Sequence, residues 1–410
     1  MIKLTELPFD ILFAIISPLS KREMKAARGI CKMFNSILEP LVFVRIVFDA
    51  ANSRRFTSQL RDLAKGWTRA GTYAKILEIR ALSAKAPSQA GSDLDTEEDP
   101  NELDVAMDFL DIDDQNLTGQ LLFDAVRSMI GLTTLEWYME ETDPPWAGGV
   151  IMNALSTVDS ISSVSLHLPP HAWFGNAVPI AAGRFKGLQC LQVRCIESEV
   201  LLYEVIGAIR NSPTLEFLDV GVGFSSKNGK TEEQRFNIDE LFDGLSTPLP
   251  LTRLALEGWE IKSAGTIGRH LKTLKFLEVE DCAITKAFWD FLRDERISLA
   301  SIRVNEITGS LLHYLETYSG PERLDLRLRH PHILPPEEVE ILAKKFFTEV
   351  LPTYSEVLHS LSIIPEIESA WCVDMGNVNS FSSCSKLVAL SVIIKDDPAD
   401  KIVASVLYKL

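Results

Sequence analysis

One short pattern recurs along this 410-residue chain and limits what it can fold into. It is an apolar residue, two of any kind, an apolar residue, one of any kind, and a third apolar residue. It reads Phe43/Ile46/Phe48, Ala74/Leu77/Ile79, Leu132/Leu135/Trp137, Ile161/Val164/Leu166, Leu188/Leu191/Val193 and Leu215/Leu218/Val220. It continues as Leu251/Leu254/Leu256, Leu274/Leu277/Val279, Leu299/Ile302/Val304, Pro321/Leu324/Leu326, Leu358/Leu361/Ile363 and Leu387/Leu390/Val392. Successive copies stand 22 to 37 residues apart, save one gap of 58 that equals two ordinary steps. Alternate side chains of a strand point to one face. The last two residues of each triplet therefore enter a core, and the first packs beneath them. No single unit can close that core, so the units must stack.

Between these strands lie helix-like stretches: Ser198–Arg210, Asn237–Leu245, Ser263–Leu271, Thr285–Arg293, Ile307–Tyr318 and Pro336–Val350. Each carries apolar residues at three- and four-residue steps, as in Leu201/Leu202/Val205/Ile209 and Phe288/Trp289/Leu292. The fold class is α/β, with parallel strands joined by helices. Such a chain is expected to curve into a horseshoe, strands on the concave side and helices on the convex side. The spacing centres on the roughly 20–29-residue period of leucine-rich repeats. Leu274, Leu277, Val279, Cys282 and Ile284 fit the full line of that repeat, with Cys282 in its ladder position.

The first stretch of the chain follows another rule. Over residues 4–48, Pro8 suits a first helical turn, where its missing N–H is harmless. Leu7, Ile11 and Ile15, with Leu12, Ile16 and Leu19, form a broad apolar face. Pro18 predicts an end near Ser17, and Ser20 with Glu23 predicts a capping box opening a second helix. Met24, Ala27, Cys31 and Phe34 continue the apolar face, and Ile37, Leu38 and Leu41 extend it past a break expected at Pro40. Three helices this short bury too little to stand alone, so the surplus must dock on the chain's own body or on another protein.

Leu7-Pro8, Ile11, Ile15, Cys31-Lys32, Phe34, Leu38 and Leu41 resemble the F-box, a helical module that binds the Skp adaptor of cullin-based ubiquitin ligases. Gly29 departs from the pattern, where a larger apolar residue is usual, and Ile30 is expected to take that role. With the repeats behind it, the chain resembles F-box/leucine-rich-repeat proteins in the divergent form common in fungi. The expected organisation is an F-box over 1–41 and repeats over 42–410, interrupted by an acidic, flexible insert at 83–116. Within the repeat part, Val42–Phe48 predicts a strand and Ser53–Trp67 a helix, with Phe56, Leu60, Leu63, Ala64 and Trp67 on its packed side. Asp104–Leu110 could form a helical turn, Leu387–Ile394 a strand, and Lys401–Leu410 a last short helix or strand.

Composition narrows the function. Net charge is −16, which argues against nucleic acid or anionic membranes as the main partner. No apolar run is long enough to span a bilayer, and Glu6 and Asp10 interrupt any leader-like segment. The six cysteines (31, 190, 195, 282, 372, 384) form no CxxC pair, a reduced intracellular pattern. Cytoplasmic or nuclear location is the expectation. Between Asp93 and Asp114 stand eleven acids and no Lys or Arg, which reads as a surface insert or a docking segment for a basic partner.

Catalytic signatures are weak. Gly223 to Thr231 imitates a phosphate-binding loop, but five residues rather than four separate its glycines. The histidines (167, 171, 270, 313, 330, 332, 359) show no metal-ligand spacing, and His330-Pro-His332 reads as a turn. Neither an enzyme nor a cofactor or metal is expected. Arg253, Arg303, Arg323, Arg327 and Arg329 cluster on neighbouring strands, where their forks could bind an acidic or phosphorylated target or pair with Asp325, Glu278, Glu280 and Glu306. Trp137, Tyr138, Trp146, Trp173, Phe174 and Trp259 could anchor a partner or fill the core.

The resemblance implies a substrate-recognition subunit of a Skp-cullin-F-box (SCF) ubiquitin ligase. The expected adaptor contacts are Leu7, Pro8, Ile11, Leu12, Ile15, Met24, Cys31 and Phe34, with the cullin scaffold reached through the adaptor. An unknown target protein is expected on the concave face. The alternatives are a leucine-rich-repeat interaction scaffold without a ligase role, its helices serving as a cap, and an enzyme using the Gly223–Thr231 loop.

Overall fold

The computed structural model describes residues 8–50, 53–82, 112–169, 181–223, 236–318, 320–329 and 335–395. The chain forms two compact units, Met1–Lys186 and Gly187–Leu410.

The first unit opens with three helices, α1 (Phe9–Ile16), α2 (Lys21–Ala27) and α3 (Lys32–Phe43). Ser17 caps the end of α1, one residue before Pro18. The capping box at α2 forms as expected: Glu23 N–H donates to Ser20 Oγ, and Ser20 N–H donates to Glu23 Oε2 at 2.7 Å. The break expected at Pro40 does not occur, because α3 runs through it. Proline removes one helical hydrogen bond, but Leu38 and Val42, both fully buried, anchor the helix on either side. The strand expected from Val42 starts later for the same reason.

Four parallel strands follow in the first unit: β1 (Arg45–Asp49), β2 (Ile76–Ala81), β3 (Thr134–Tyr138) and β4 (Ser163–His167). Between them run α4 (Ser53–Ala64), α5 (Ala70–Tyr73), α6 (Ile112–Arg127) and α7 (Pro145–Leu155). The repeat residues align rung by rung, Ile46 beside Leu77, Leu135 and Val164, and Phe48 beside Ile79, Trp137 and Leu166. All eight are buried, as are Phe56, Leu60, Val126 and Ile151 of the helices, with the Phe48 and Phe56 rings packed edge to face at 6.0 Å. Helix α4 stops short of Trp67. Gly66 takes φ 64° and Trp67 N–H donates to Asp62 O, a left-handed helix end that turns the indole outward to 66% exposure. Of the acidic insert, residues 83–111 lie outside the described residues, including the turn expected at Asp104–Leu110. Its last residues, from Ile112, belong to α6 instead.

The second unit contributes β5 (Cys190–Ile196), β6 (Phe217–Val222), β7 (Arg253–Glu257), β8 (Glu260–Ile261), β9 (Phe276–Glu280), β10 (Ala283–Ile284), β11 (Ser301–Val304), β12 (Arg323–Leu328), β13 (Ser360–Pro365) and β14 (Ala389–Val392). β8 and β10 pair with each other, and the other eight lie parallel in chain order. One row reads Leu191, Leu218, Leu254, Leu277, Ile302, Leu324, Leu361, Leu390; the next reads Val193, Val220, Leu256, Val279, Val304, Leu326, Ile363, Val392. No single repeat can close its own core, so adjacent rows bury one another and their shared leucines set the register.

The helical layer of the second unit is uneven. α8 (Glu199–Arg210), α10 (Lys286–Asp294) and α11 (Gly309–Glu316) match their expected ranges closely, with Ser198 and Thr308 as side-chain caps of α8 and α11. α9 (Asp239–Phe242) is a single turn, and Ser263–Leu271 holds only a 3-10 turn at Ile267–His270. Gly268 explains the tight turn, since a Cβ there would lie 2.6 Å from Phe291 Cζ. α12 (Pro336–Lys345) continues as a π-helical turn, Phe346–Val350. Cys282 is buried in its ladder position, its thiol donating to Leu256 O of the preceding repeat at 3.5 Å. Residues 401–410 lie outside the described residues.

Candidate functional site

Two surfaces stand out, one in each unit. In the first, the helices α1–α3 close a small core of Ile16, Phe34 and Leu38, with Met24, Ala27, Cys31 and Ile37 packed against it. Leu12 is buried as well. Three other apolar residues of α1 are exposed: Ile11, Phe13 and Ile15 by 46%, 46% and 44%. The expected adaptor set therefore divides. Pro8, Ile11 and Ile15 are exposed, Met24 and Cys31 half-buried, and Leu12 and Phe34 buried within the module; Leu7 lies outside the described residues. Ile30, expected to fill the place left by Gly29, is 71% exposed.

The second surface is the outward row of the strands in the second unit. One rung runs Phe217, Arg253, Phe276, Ser301, Arg323, Ser360, Ala389. The next runs Asp219, Ala255, Glu278, Arg303, Asp325, Ser362, Ser391. Between them lies a shallow groove of about 300 Å³ lined by Arg253, Phe276, Arg303, Arg323 and the serines 301, 360 and 362, with Glu278 and Asp325 also on its wall, both held by Arg303.

The five expected arginines are not equivalent. Arg303 donates to Asp325 Oδ2 at 2.7 Å and to Glu278 Oε1 at 2.8 Å. Arg327 donates to Asp325 Oδ2 at 3.1 Å, and Arg329 stands 3.8 Å from Glu280. Arg253 stacks on Phe217, its guanidinium carbon 4.7 Å from the ring centre, with Glu278 only at 3.8 Å. Arg323 is exposed, and its side chain has no hydrogen bond or ion pair with any described residue.

The Arg303 arrangement recurs at residues that sequence reading passed over. Arg45 holds Glu78 at 2.6 Å and Glu136 at 2.8 Å, on the next two strands of its own unit. Arg194 reaches Asp219 at 2.9 Å and also pairs with Glu257. Its strand slips register between Val193 and Ile196, with Cys195 at φ 64°, and a bulge of this kind re-aims the neighbouring side chain. Gly221 lies beneath that pair, where a Cβ would sit 3.1 Å from both Arg194 Cδ and Glu257 Oε2. Burial pushes the Asp219 carboxyl up despite Arg194 beside it. The outward positions of Arg45 and Arg194 carry no local signal; the register of the leucine rows reveals them.

The other candidates spread out. Trp137 and Trp259 are core residues, the Trp259 indole donating to Val220 O at 3.0 Å, while Tyr138 is exposed and stacks on His167 at 4.5 Å. Trp146 is half-buried, and Trp173 and Phe174 lie outside the described residues. His270 is fully buried and accepts from Leu249 N–H at 2.9 Å, its pKa pushed down to about 4 by burial and then by Arg269. His330, His332 and most of the Gly223–Thr231 loop lie outside the described residues. Among the described residues no cluster of three or more His, Cys, Asp or Glu is placed to hold a metal, and no helix is long and apolar enough to cross a membrane.

No family model matches the chain, and no curated protein matches it. Among solved structures it is similar to an internalin from Listeria monocytogenes, at 12% identity and a TM-score of 0.35, over 69% of this chain and 80% of that one. The assignment rests on the chain's own register. Its parallel leucine rows, each strand followed by a helix or turn, are those of a leucine-rich-repeat architecture.

Proposed function

We propose that this chain is the substrate-recognition subunit of an SCF ubiquitin ligase, with α1–α3 docking a Skp-type adaptor and the repeat strands holding a target protein. The observation that carries the reading is the exposed pair Ile11 and Ile15, one turn apart on α1, beside the buried pair Leu12 and Ile16 that already anchors the helix. Isolated exposed apolar residues are common, but adjacent ones on one helix face mark an interaction surface. Together with Cys31-Lys32 and Phe34 at F-box spacing, it favours an adaptor of matching apolar surface. The chain itself contributes no chemistry on this reading. It raises the local concentration of the target near the conjugating enzyme.

A second reading is favoured by the base of the helical module. Lys21 Nζ stands 3.4 Å from Arg45 O, and Lys75 and Ile76 N–H both donate to Val44 O, tying the helices to the first repeat. The module would then be an N-terminal cap for an interaction scaffold without a ligase role. Co-purification with a Skp-type adaptor separates the two. The double variant Leu7→Ala with Pro8→Ala should abolish adaptor capture while the repeats stay folded, and unchanged capture removes the ligase reading.

A further inference from the structure

We infer that the groove over β7, β9, β11 and β12 receives a short extended segment of a partner protein that carries an apolar side chain between two carboxylates. This rests on the reading above that the strand face is where a partner binds, and it names that partner's chemistry. The first argument is charge. The chain carries −16 overall, yet its outward rows here present five arginines, and internal pairing divides them unequally. Arg303 is committed to Glu278 and Asp325 on either side, so it is neutralised where it stands. Arg253 and Arg323 lie on the other rung. The Arg323 side chain has no hydrogen-bonded or ion-paired partner among the described residues, and Arg253 stacks on Phe217 with Glu278 no closer than 3.8 Å. A guanidinium stacked on a ring keeps its fork of N–H donors free at the edge, which suits a carboxylate.

The second argument is shape. Arg253 and Arg323 occupy one rung, with Phe276 and Ser301 between them. Phe276 is 43% exposed, unusual for a ring in the middle of a strand row. Ser301 beside it is small, so the rung dips between a phenyl wall and Arg323. The two arginines are three strand spacings apart, about 14 Å. An extended chain laid across the strands covers that distance in about four residues. A carboxylate at each end meets an arginine, and an apolar side chain two residues from each, on the same face of the extended segment, enters the dip between Phe276 and Ser301. The hydroxyls of Ser301, Ser360 and Ser362 line the same groove and can serve the segment's backbone. Ion pairs at half-exposed positions screen readily, so binding should weaken as salt is raised.

The test uses the full chain and a fluorescein-labelled peptide with two glutamates four positions apart and a phenylalanine midway between them, read by fluorescence anisotropy. Arg253→Gln and Arg323→Gln should each weaken binding about tenfold, the loss of one charge-assisted contact. A peptide with both glutamates changed to glutamine should lose more. No binding, or equal binding by the arginine variants or by the glutamine peptide, overturns the inference. The broader reading is checked separately with Ser301→Trp, which fills the dip. Proteins that co-purify with the wild type, are lost from Ser301→Trp and are kept by Arg323→Gln mean that the face binds a partner by other chemistry, which overturns this inference alone. Retention by both variants overturns both.

Discussion

Arg303 on β11 and Asp325 on β12 are cross-strand partners, and Arg303 Nε donates to Asp325 Oδ2 at 2.7 Å. The same guanidinium donates to Glu278 on the other neighbouring strand. One arginine thus holds two carboxylates that would repel across the sheet, as Arg45 and Arg194 do elsewhere. Arg303→Met should lower unfolding stability by about 1–2 kcal/mol, a value discounted for partial exposure. Adding Glu278→Gln should recover part of the loss, since the remaining carboxylate then has no like charge beside it. Urea unfolding of the single and double variants gives the coupling.

Gly221 is retained for room, not for backbone freedom. A methyl group there would press on both members of the Arg194–Glu257 pair. Gly221→Ala should cost about 1 kcal/mol by displacing that contact. Gly221→Ala combined with Arg194→Ala should show less than the sum of the single losses. Additive losses in a thermal or urea series would contradict the crowding.

His270 predicts an acid sensitivity with a definite sign. Its folded pKa is pushed down to about 4 from a normal value of 6.5. The unfolded chain therefore takes up a proton that the native state refuses. The stability it supports is complete above pH 6.5 and is lost as pH falls towards 4, by about 3 kcal/mol. Carboxylates titrate in the same window, so the readout is a difference. His270→Asn is less stable at every pH because it leaves space beside Phe242, but its loss between pH 7 and 4.5 should be smaller than that of the wild type. Parallel pH profiles would show that the ring does not set this slope.

The helical module separates contact from support. Ile11→Asp with Ile15→Asp changes only exposed positions and should leave the unfolding midpoint within about 0.5 kcal/mol. It should remove adaptor capture if α1 is the docking helix. Leu38→Ala deletes a fully buried side chain and should cost about 2–4 kcal/mol. Circular dichroism melts and adaptor pull-down on the same samples distinguish the two classes. Loss of stability in the surface pair would mean that α1 packs more tightly than its exposure indicates.

Some errors in reading the sequence had a visible cause. Gly66 was available as a helix terminator, yet the apolar spacing carried the expected helix on to Trp67; a left-handed glycine outranks one more apolar residue in phase. Pro40 predicts a stop, but a buried helix tolerates the loss of one hydrogen bond when Leu38 and Val42 hold both sides. Ser263–Leu271 has helical spacing but forms a 3-10 turn at Ile267–His270, packed so closely on Phe291 of the next repeat that position 268 has no room for a side chain. The helix end at Gly66 is a local signal outweighed by apolar phase, whereas the approach of Gly268 to Phe291 lies beyond any local window.

By itself, the order of residues determined the repeat. Paired leucines at a two-residue step can be buried only on one side of a strand, and their recurrence dictates stacked parallel strands whatever lies between. What only the tertiary structure decided was the charge state of the outward rows. Arg303 and Arg323 are both arginines in strands, equally suited to a partner when read from the chain. Register placed the first between two carboxylates from different repeats and the second beside serines, and charge interactions fall off so steeply with distance and screening that a shift of one rung separates a structural arginine from one available for binding.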